Sequence, residues 1–275
     1  MSSPHIVFIT GANTGIGLET VRALAKTSTP YTIILGGRTL SKVEEAITSL
    51  RTEIPSTSST YSAVQIDLED DTSIQTAFET ISAAHTHLDT LINNAGAAFD
   101  YDLHAGKLSM RQAWNKSWDV NVTGTFIVTW TFAPLLVKSP LQPRLLFLTS
   151  GTASVSETEA GSGPANHLTK SPSKGWPKTD LGFDVTSYRS SKVGLNMMMR
   201  QWERILREDG VKVFAISPGF LVTGLGNMGQ QGREMMKNMG AGEASVGGEF
   251  IRDVVEGMRD ADAGKAIRKD MVQPW

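Results

Sequence analysis

The sequence predicts an α/β fold: one parallel, doubly wound sheet of about seven strands with helices on both faces, in a single domain over 1–275. Three observations predict it. Short runs nearly continuous in apolar residues recur along the chain, as strands buried on both faces require. Helix-length segments separate them, and strand–helix alternation implies right-handed crossovers and a parallel sheet. A glycine-rich turn closes the first run, at the end of a strand where open α/β sheets bind ligands.

The strand candidates are HIVFIT (5–10), YTIILG (31–36), YSAVQI (61–66), LDTLINN (88–94), RLLFLTS (144–150) and VKVFAIS (211–217). Between the first two lies GIGLETVRALAKT, whose Ile16, Leu18, Val21 and Leu24 form an apolar stripe. After the second comes SKVEEAITSLRTE, where Ser41 and Glu44 have capping-box spacing. Two segments break the rhythm. Residues 152–186 are rich in Gly, Pro, Ser and Thr, and residues 219–245 in Gly and Met. Both follow strand ends, and long aperiodic segments inside compact domains are commonly functional. They are read as an insertion and a substrate lid.

Hydrophobic residues at 40% and charged residues at 20% of 275 place the chain among globular proteins. A net charge of −2 without a basic stripe argues against nucleic acid, and no stretch is long or apolar enough for a membrane span. No cysteine is present, which excludes disulfides and thiol catalysis. The first apolar run is too short for a signal-peptide core, so a cytosolic (cytoplasmic) location is expected. His85 and His87 read as a helix end rather than a metal site. TSGTAS lacks the G-x-S-x-G of serine hydrolases.

The glycine loop is TGANTGIG, Thr10–Gly17, with Gly11, Gly15 and Gly17 spaced G-x-x-x-G-x-G. Missing side chains let the backbone approach a pyrophosphate seated on helix N–H groups. NAD sites place an acid at the end of the second strand. Here Gly36 and Gly37 stand there and Arg38 follows. A guanidinium pairs with a 2′-phosphate, so NADP(H) is the expected cofactor. Asp67, in QIDLED, is placed either to accept from the adenine amino group or to cap the next helix. Asn93–Gly96, NNAG, leaves room for adenosine. Tyr188 and Lys192, in YRSSK, stand four apart and share one helix face.

TGANTGIG, NNAG, NVTG (Asn121–Gly124), Ser150, YRSSK and SPGFLVTG (Ser217–Gly224) occur in one order along the chain. In this the sequence resembles the short-chain dehydrogenase/reductase family, and the resemblance implies a Rossmann-type fold. It implies that Tyr188 is the general acid for carbonyl reduction, its phenol lowered by a nearby ammonium. Lys192 would supply that charge and hold the nicotinamide ribose. Ser150 would hydrogen-bond the substrate carbonyl, and the Asn121 backbone carbonyl would hold a proton-relaying water. Asn13, Thr14 and Ile16 would complete the glycine loop's cofactor contacts, and Leu68, Asn94, Ala95 and Gly96 would flank the adenosine. Pro218, Gly219, Leu221 and Thr223 would seat the nicotinamide.

Ser150 and Tyr188 are 38 residues apart, much farther than in many members. That resembles the carbonyl-reductase-like subgroup, whose insertion walls the substrate site. Lys174, Trp176 and Lys178 lie within it, with a surface role expected of each. The implied activity is reduction of a ketone or aldehyde, bulky and apolar, or the reverse alcohol oxidation. A lyase or isomerase acting without net hydride transfer, and a non-catalytic NADP(H) sensor, remain as alternatives. The resemblance also suggests a homo-oligomer, dimer or tetramer, pairing through about 105–137 and 186–209, with Trp114, Trp118, Met198 and Trp202 as contacts; the alternative is an insertion that blocks this surface, as in monomeric carbonyl-reductase-like members. Trp114, Trp118 and Trp130 are read first as packing residues, with the pocket wall or a subunit contact as the alternatives.

Overall fold

Successive side chains of the first strand, β1 (His5–Ile9), enter opposite layers, as a strand's two-residue period requires. Phe8 joins one buried cluster, Val7 and Ile9 the other. The computed structural model describes residues 4–163, 168–178, 185–227 and 229–275. In order these form β1, α1 (Gly15–Ala25), β2 (Tyr31–Gly37), α2 (Leu40–Glu53), β3 (Thr60–Gln65), α3 (Asp71–Ala84) and β4 (Thr90–Asn93). There follow α4 (Asp100–His104), α5 (Met110–Trp118), a π-helical turn Asp119–Gly124, α6 (Thr125–Leu136), β5 (Arg144–Leu148) and α7 (Val155–Ala160). The chain closes with α8 (Thr186–Leu206), β6 (Lys212–Ile216), β7 (Leu221–Val222), α9 (Gly229–Asn238), β8 (Gly242–Glu243), α10 (Ala244–Val255), β9 (Ala266–Arg268) and β10 (Met271–Val272).

The main sheet runs β10-β9-β6-β5-β4-β1-β2-β3. All neighbours are parallel except β10, which pairs antiparallel with β9. The expected seven parallel strands are therefore present, and β10 adds an eighth. Ile74, Phe132, Leu195 and Trp202 of α3, α6 and α8 pack on the Phe8 side. Val21, Leu24, Val43 and Ile251 of α1, α2 and α10 pack on the other. The six sequence-read strands fall where expected, though β4 begins two residues late. Strand order reverses between β1 and β4, so the crevice for a ligand opens beyond their C-terminal ends.

Three readings are corrected. Helix α2 starts at Leu40 with extended Thr39 at its N-cap and no side-chain cap. Ser41 is already helical, so it forms no capping box with Glu44. The expected irregular lid holds β7, α9, β8 and a 3-10 turn Leu225–Asn227; glycine hid a helix whose Met236 is buried. Met228 lies outside the described residues. Trp202, expected at a subunit contact, is 2% exposed inside the core, because it packs under Phe126 and Trp130. Of the insertion, a 3-10 turn Gly151–Ala153, α7 and 168–178 are described, with Trp176 exposed; 164–167 and 179–184 lie outside the described residues. Among the described residues no helix is long and apolar enough to cross a membrane.

Candidate active site

The glycine loop and NNAG are fastened to each other by side-chain bonds. The Thr10 hydroxyl accepts from the N–H groups of Asn94 and Ala95 at 3.1 and 3.0 Å. The Asn94 amide donates to the carbonyls of Thr10 and Gly11 at 2.8 and 3.0 Å. This leaves no space beneath α1: a Cβ on Gly17 would stand 2.4 Å from the Gly11 oxygen. Gly11 and Gly15 have φ of +64° and +57°, which side chains resist. Thr14 at the N-cap of α1 makes no side-chain cap, and the first turn holds no acid. The free N–H groups and positive dipole end suit a pyrophosphate.

Around that point the sequence-read residues gather. Asn13 lies against Gly37 at the end of β2, where a Cβ would meet Val43 at 2.7 Å and the Asn13 oxygen at 3.0 Å. Arg38 is exposed, its carbonyl accepting from Gln65 at 3.2 Å. Asp67 is half-buried and accepts the Glu69 N–H at 3.2 Å. It does not cap α3, because Asp70 does, accepting from Thr72. Leu68 turns its side chain into the core while its carbonyl abuts Gly124. Ile16, Pro218 and Leu221 converge on Gly247 of α10, and Thr223 faces Gly15 across the crevice. Gly219, at φ +114°, turns the chain between Pro218 and β7.

The second cluster stands at the ends of β4 and β5. Asn121, fully buried in the π-helical turn, clamps Ala97: its Oδ1 accepts the Ala97 N–H at 2.9 Å and its Nδ2 donates to the Ala97 carbonyl at 2.8 Å. Its Nδ2 also reaches Ser191 Oγ at 3.0 Å, and Ser191 donates to the Tyr188 carbonyl at 2.7 Å. An irregular π turn of this kind recurs at functional sites. Lys192, one turn beyond Tyr188, is 4% exposed; its Nζ donates to the Leu148 carbonyl at 2.8 Å and lies 5.7 Å from the Tyr188 ring centroid. A Cβ on Gly96 would stand 3.2 Å from that Nζ, so the lysine opens toward NNAG.

Burial pushes the Lys192 ammonium down to about 8. Burial also pushes the Tyr188 phenol up to about 12, opposed by a hydrogen bond from Ser150 and reinforced by the Asp100 carboxylate. The expectation of a phenol lowered by Lys192 is thus corrected: burial raises the phenol, and the Lys192 ammonium is engaged by the Leu148 carbonyl. Ser150 Oγ accepts the Thr152 N–H at 3.1 Å and contacts Thr152 Oγ1 at 2.9 Å.

Two supporting residues escaped sequence reasoning. Asp100 follows NNAG without any periodic signal, yet it is buried and bonds the N–H groups of Ser187 and Tyr188. Gln273 is 1% exposed, donates to the Ser150 carbonyl at 3.2 Å and accepts from Ser217 at 2.6 Å and Arg268 at 3.1 Å.

Comparison with known proteins agrees with this geometry. A family model described as short chain dehydrogenase matches residues 5–161. The chain is 49% identical over 275 residues to the short-chain dehydrogenase/reductase eupG of a Phoma species, covering 98% of this chain and 97% of that one. It is 41% identical to the short-chain dehydrogenase/reductase tropE of Talaromyces stipitatus, covering 100% and 99%. An NADPH-bound carbonyl reductase from chicken fatty liver superposes with a TM-score of 0.75 at 20% identity, covering all of both chains. A 3-oxoacyl-[acyl-carrier protein] reductase from Brucella melitensis in complex with NAD gives 0.74 at 20% identity, covering 98% and 96%.

Proposed function

We propose, from the premise that this chain belongs to the short-chain dehydrogenase/reductase family, that it is an NADPH-dependent carbonyl reductase. The observation that carries the reading is the convergence of Ser150, Tyr188 and Lys192 beside Gly96 of NNAG, which is itself fastened to the glycine loop. Bound NADPH supplies the hydride. Tyr188 holds the proton for the carbonyl oxygen. Ser150 orients that oxygen, since its hydroxyl already bonds the phenol. Lys192 carries a buried charge beside Gly96, positioned for the nicotinamide ribose. Asn121 holds the Ala97 backbone and, through Ser191, the Tyr188 carbonyl.

NADPH is favoured over NADH by the end of β2. Arg38 is exposed where a 2′-phosphate would lie, and Gly37 has no room for the side chain of an acid. The insertion 152–186 and the lid 219–245 are assigned to the substrate wall, and the Met-rich lid suits a bulky, apolar ketone or aldehyde. A cytosolic location, and a homo-oligomer joined through α6 and α8, belong to the same proposal.

The test follows NADPH absorbance against a panel of aromatic and aliphatic carbonyl compounds. Oxidation of NADPH matched by alcohol formation supports the reading. Tight NADPH binding without turnover across the panel refutes it.

A further inference from the structure

Helix α8 has 21 residues and carries Tyr188 as its third. The first N–H groups of a helix lack partners within it. The residue at the N-cap, Val185, has no side-chain acceptor to offer. The acceptor comes from 88 residues away in sequence. Asp100, the first residue of α4, takes the Ser187 N–H on Oδ1 at 2.8 Å and the Tyr188 N–H on Oδ2 at 3.1 Å. It is 3% exposed. Beside it, Ser117 of α5 bonds the Ser187 hydroxyl at 3.0 Å.

A local Ser or Asp at 185 would cap this helix without burying a charge from elsewhere. A buried carboxylate carries a desolvation cost, offset here by two charge-assisted bonds and the positive end of the helix dipole. The arrangement does two things that a local neutral cap does not. It ties the backbone of Tyr188 itself to the segment following NNAG. It also places a carboxylate on the Tyr188 N–H, and its charge acts to raise the phenol's pKa. On its other side α4 meets the lid turn Leu225–Asn227.

We propose that Asp100 is the positioning residue for the reactive phenol: it fixes the Tyr188 backbone from outside the helix and brings a negative charge to the first turn of α8, which carries the acid. The inference rests on the reductase reading for its catalytic part only. Among the described residues, the groups that act on or stand against Tyr188 are Ser150 from the end of β5, Lys192 from the next turn of α8, and Asp100 from α4. Among these, Asp100 acts to raise the phenol's pKa. Removing its charge makes the phenol ionise at lower pH, so reduction should fail at lower pH.

The experiment compares Asp100→Asn, Asp100→Ala and the double variant Asp100→Ala/Val185→Ser, which restores a local cap without the charge. Three readouts are taken with the full chain: thermal midpoint, the pH profile of kcat with NADPH and a reduced carbonyl, and amide exchange at Ser187 and Tyr188. The expected result is a kcat loss of about tenfold, a fraction of a general acid's contribution, with KM for NADPH little changed. The alkaline limb should move to lower pH in every variant, and Val185→Ser should recover the midpoint but neither kcat nor the limb. Full recovery of kcat by Val185→Ser, or a wild-type pH profile in Asp100→Asn, overturns the proposal. If Asp100→Ala does not fold, Asp100→Asn carries the same test. The exchange measurement needs no turnover: unchanged protection of both amides in Asp100→Asn overturns the positioning part even if the wild type reduces nothing.

Discussion

Arg268 grips Glu157 with both arms of its guanidinium, at 2.7 and 2.5 Å, and each side chain is 15% exposed. The same guanidinium bonds Gln273, which in turn bonds the Ser150 carbonyl. An ion pair between β9 and α7 thus sits directly behind the serine. Arg268→Ala should lower stability by about 2 kcal/mol, the scale of hydrogen bonds to charged groups, measured by urea unfolding. Arg268 holds the Glu157 carboxyl below the usual carboxylate range. A depressed folded pKa gives stability that is present above the unfolded value and lost as pH falls through the folded one. Arg268→Gln should therefore lose less stability on acidification than the wild type, and equal acid slopes would refute the linkage.

The proposed preference for NADPH rests on Arg38. NADPH should bind at least about tenfold tighter than NADH, or about 1.4 kcal/mol, and Arg38→Ala should erase most of that gap. Titration calorimetry with both cofactors decides it. Equal affinities in the unmutated protein would exclude Arg38 as the discriminating residue.

Tyr188→Phe removes the proposed acid and leaves the ring. The kcat should fall by about 10² or more, while NADPH still quenches tryptophan fluorescence with near-normal affinity. Near-normal turnover by the variant would place the proton elsewhere.

Much of this was legible in the sequence because close backbone approach and chemistry leave local marks. The glycines of Thr10–Gly17 and the Tyr188–Lys192 pair fall where their spacing puts them, and the six strands are continuous apolar runs. What stayed hidden acts over long sequence distance. Asp100 and Gln273 lie 88 and 123 residues from the groups they hold, and neither has a periodic or motif context. Helix α9 was masked by glycines, and β9 and β10 are too short to leave a pattern. The phenol's direction of shift was also illegible, because burial of Tyr188 exists only in the fold.

The aromatic surface of α6 and α8 gives a test of assembly. Phe126 and Trp130 stack on each other, 41% and 65% exposed, with Met197 at 72% nearby in sequence to the buried part of α8. Light scattering at micromolar concentration should report a dimer or tetramer, and Trp130→Glu should shift it toward monomer. A wild-type monomer would refute assembly through this face.

The lid should close on substrate rather than on cofactor alone. Amides of Met235 to Gly240 in and after α9 should exchange faster than those of α8 in the free protein, and slow when NADP⁺ and product are both bound. Hydrogen exchange by mass spectrometry reads both states. Full protection in the free protein would make the segment a fixed wall.

The ribbon beneath that lid has a mechanical consequence. β7 and β8 pair in parallel, Leu221 with Gly242 and Val222 with Glu243, so both ends of the excursion are fastened before α9 begins and after it finishes. The stretch between them is mechanically set apart: a displacement of α9 is taken up between two paired ends and need not reach Tyr188 and Lys192 on α8.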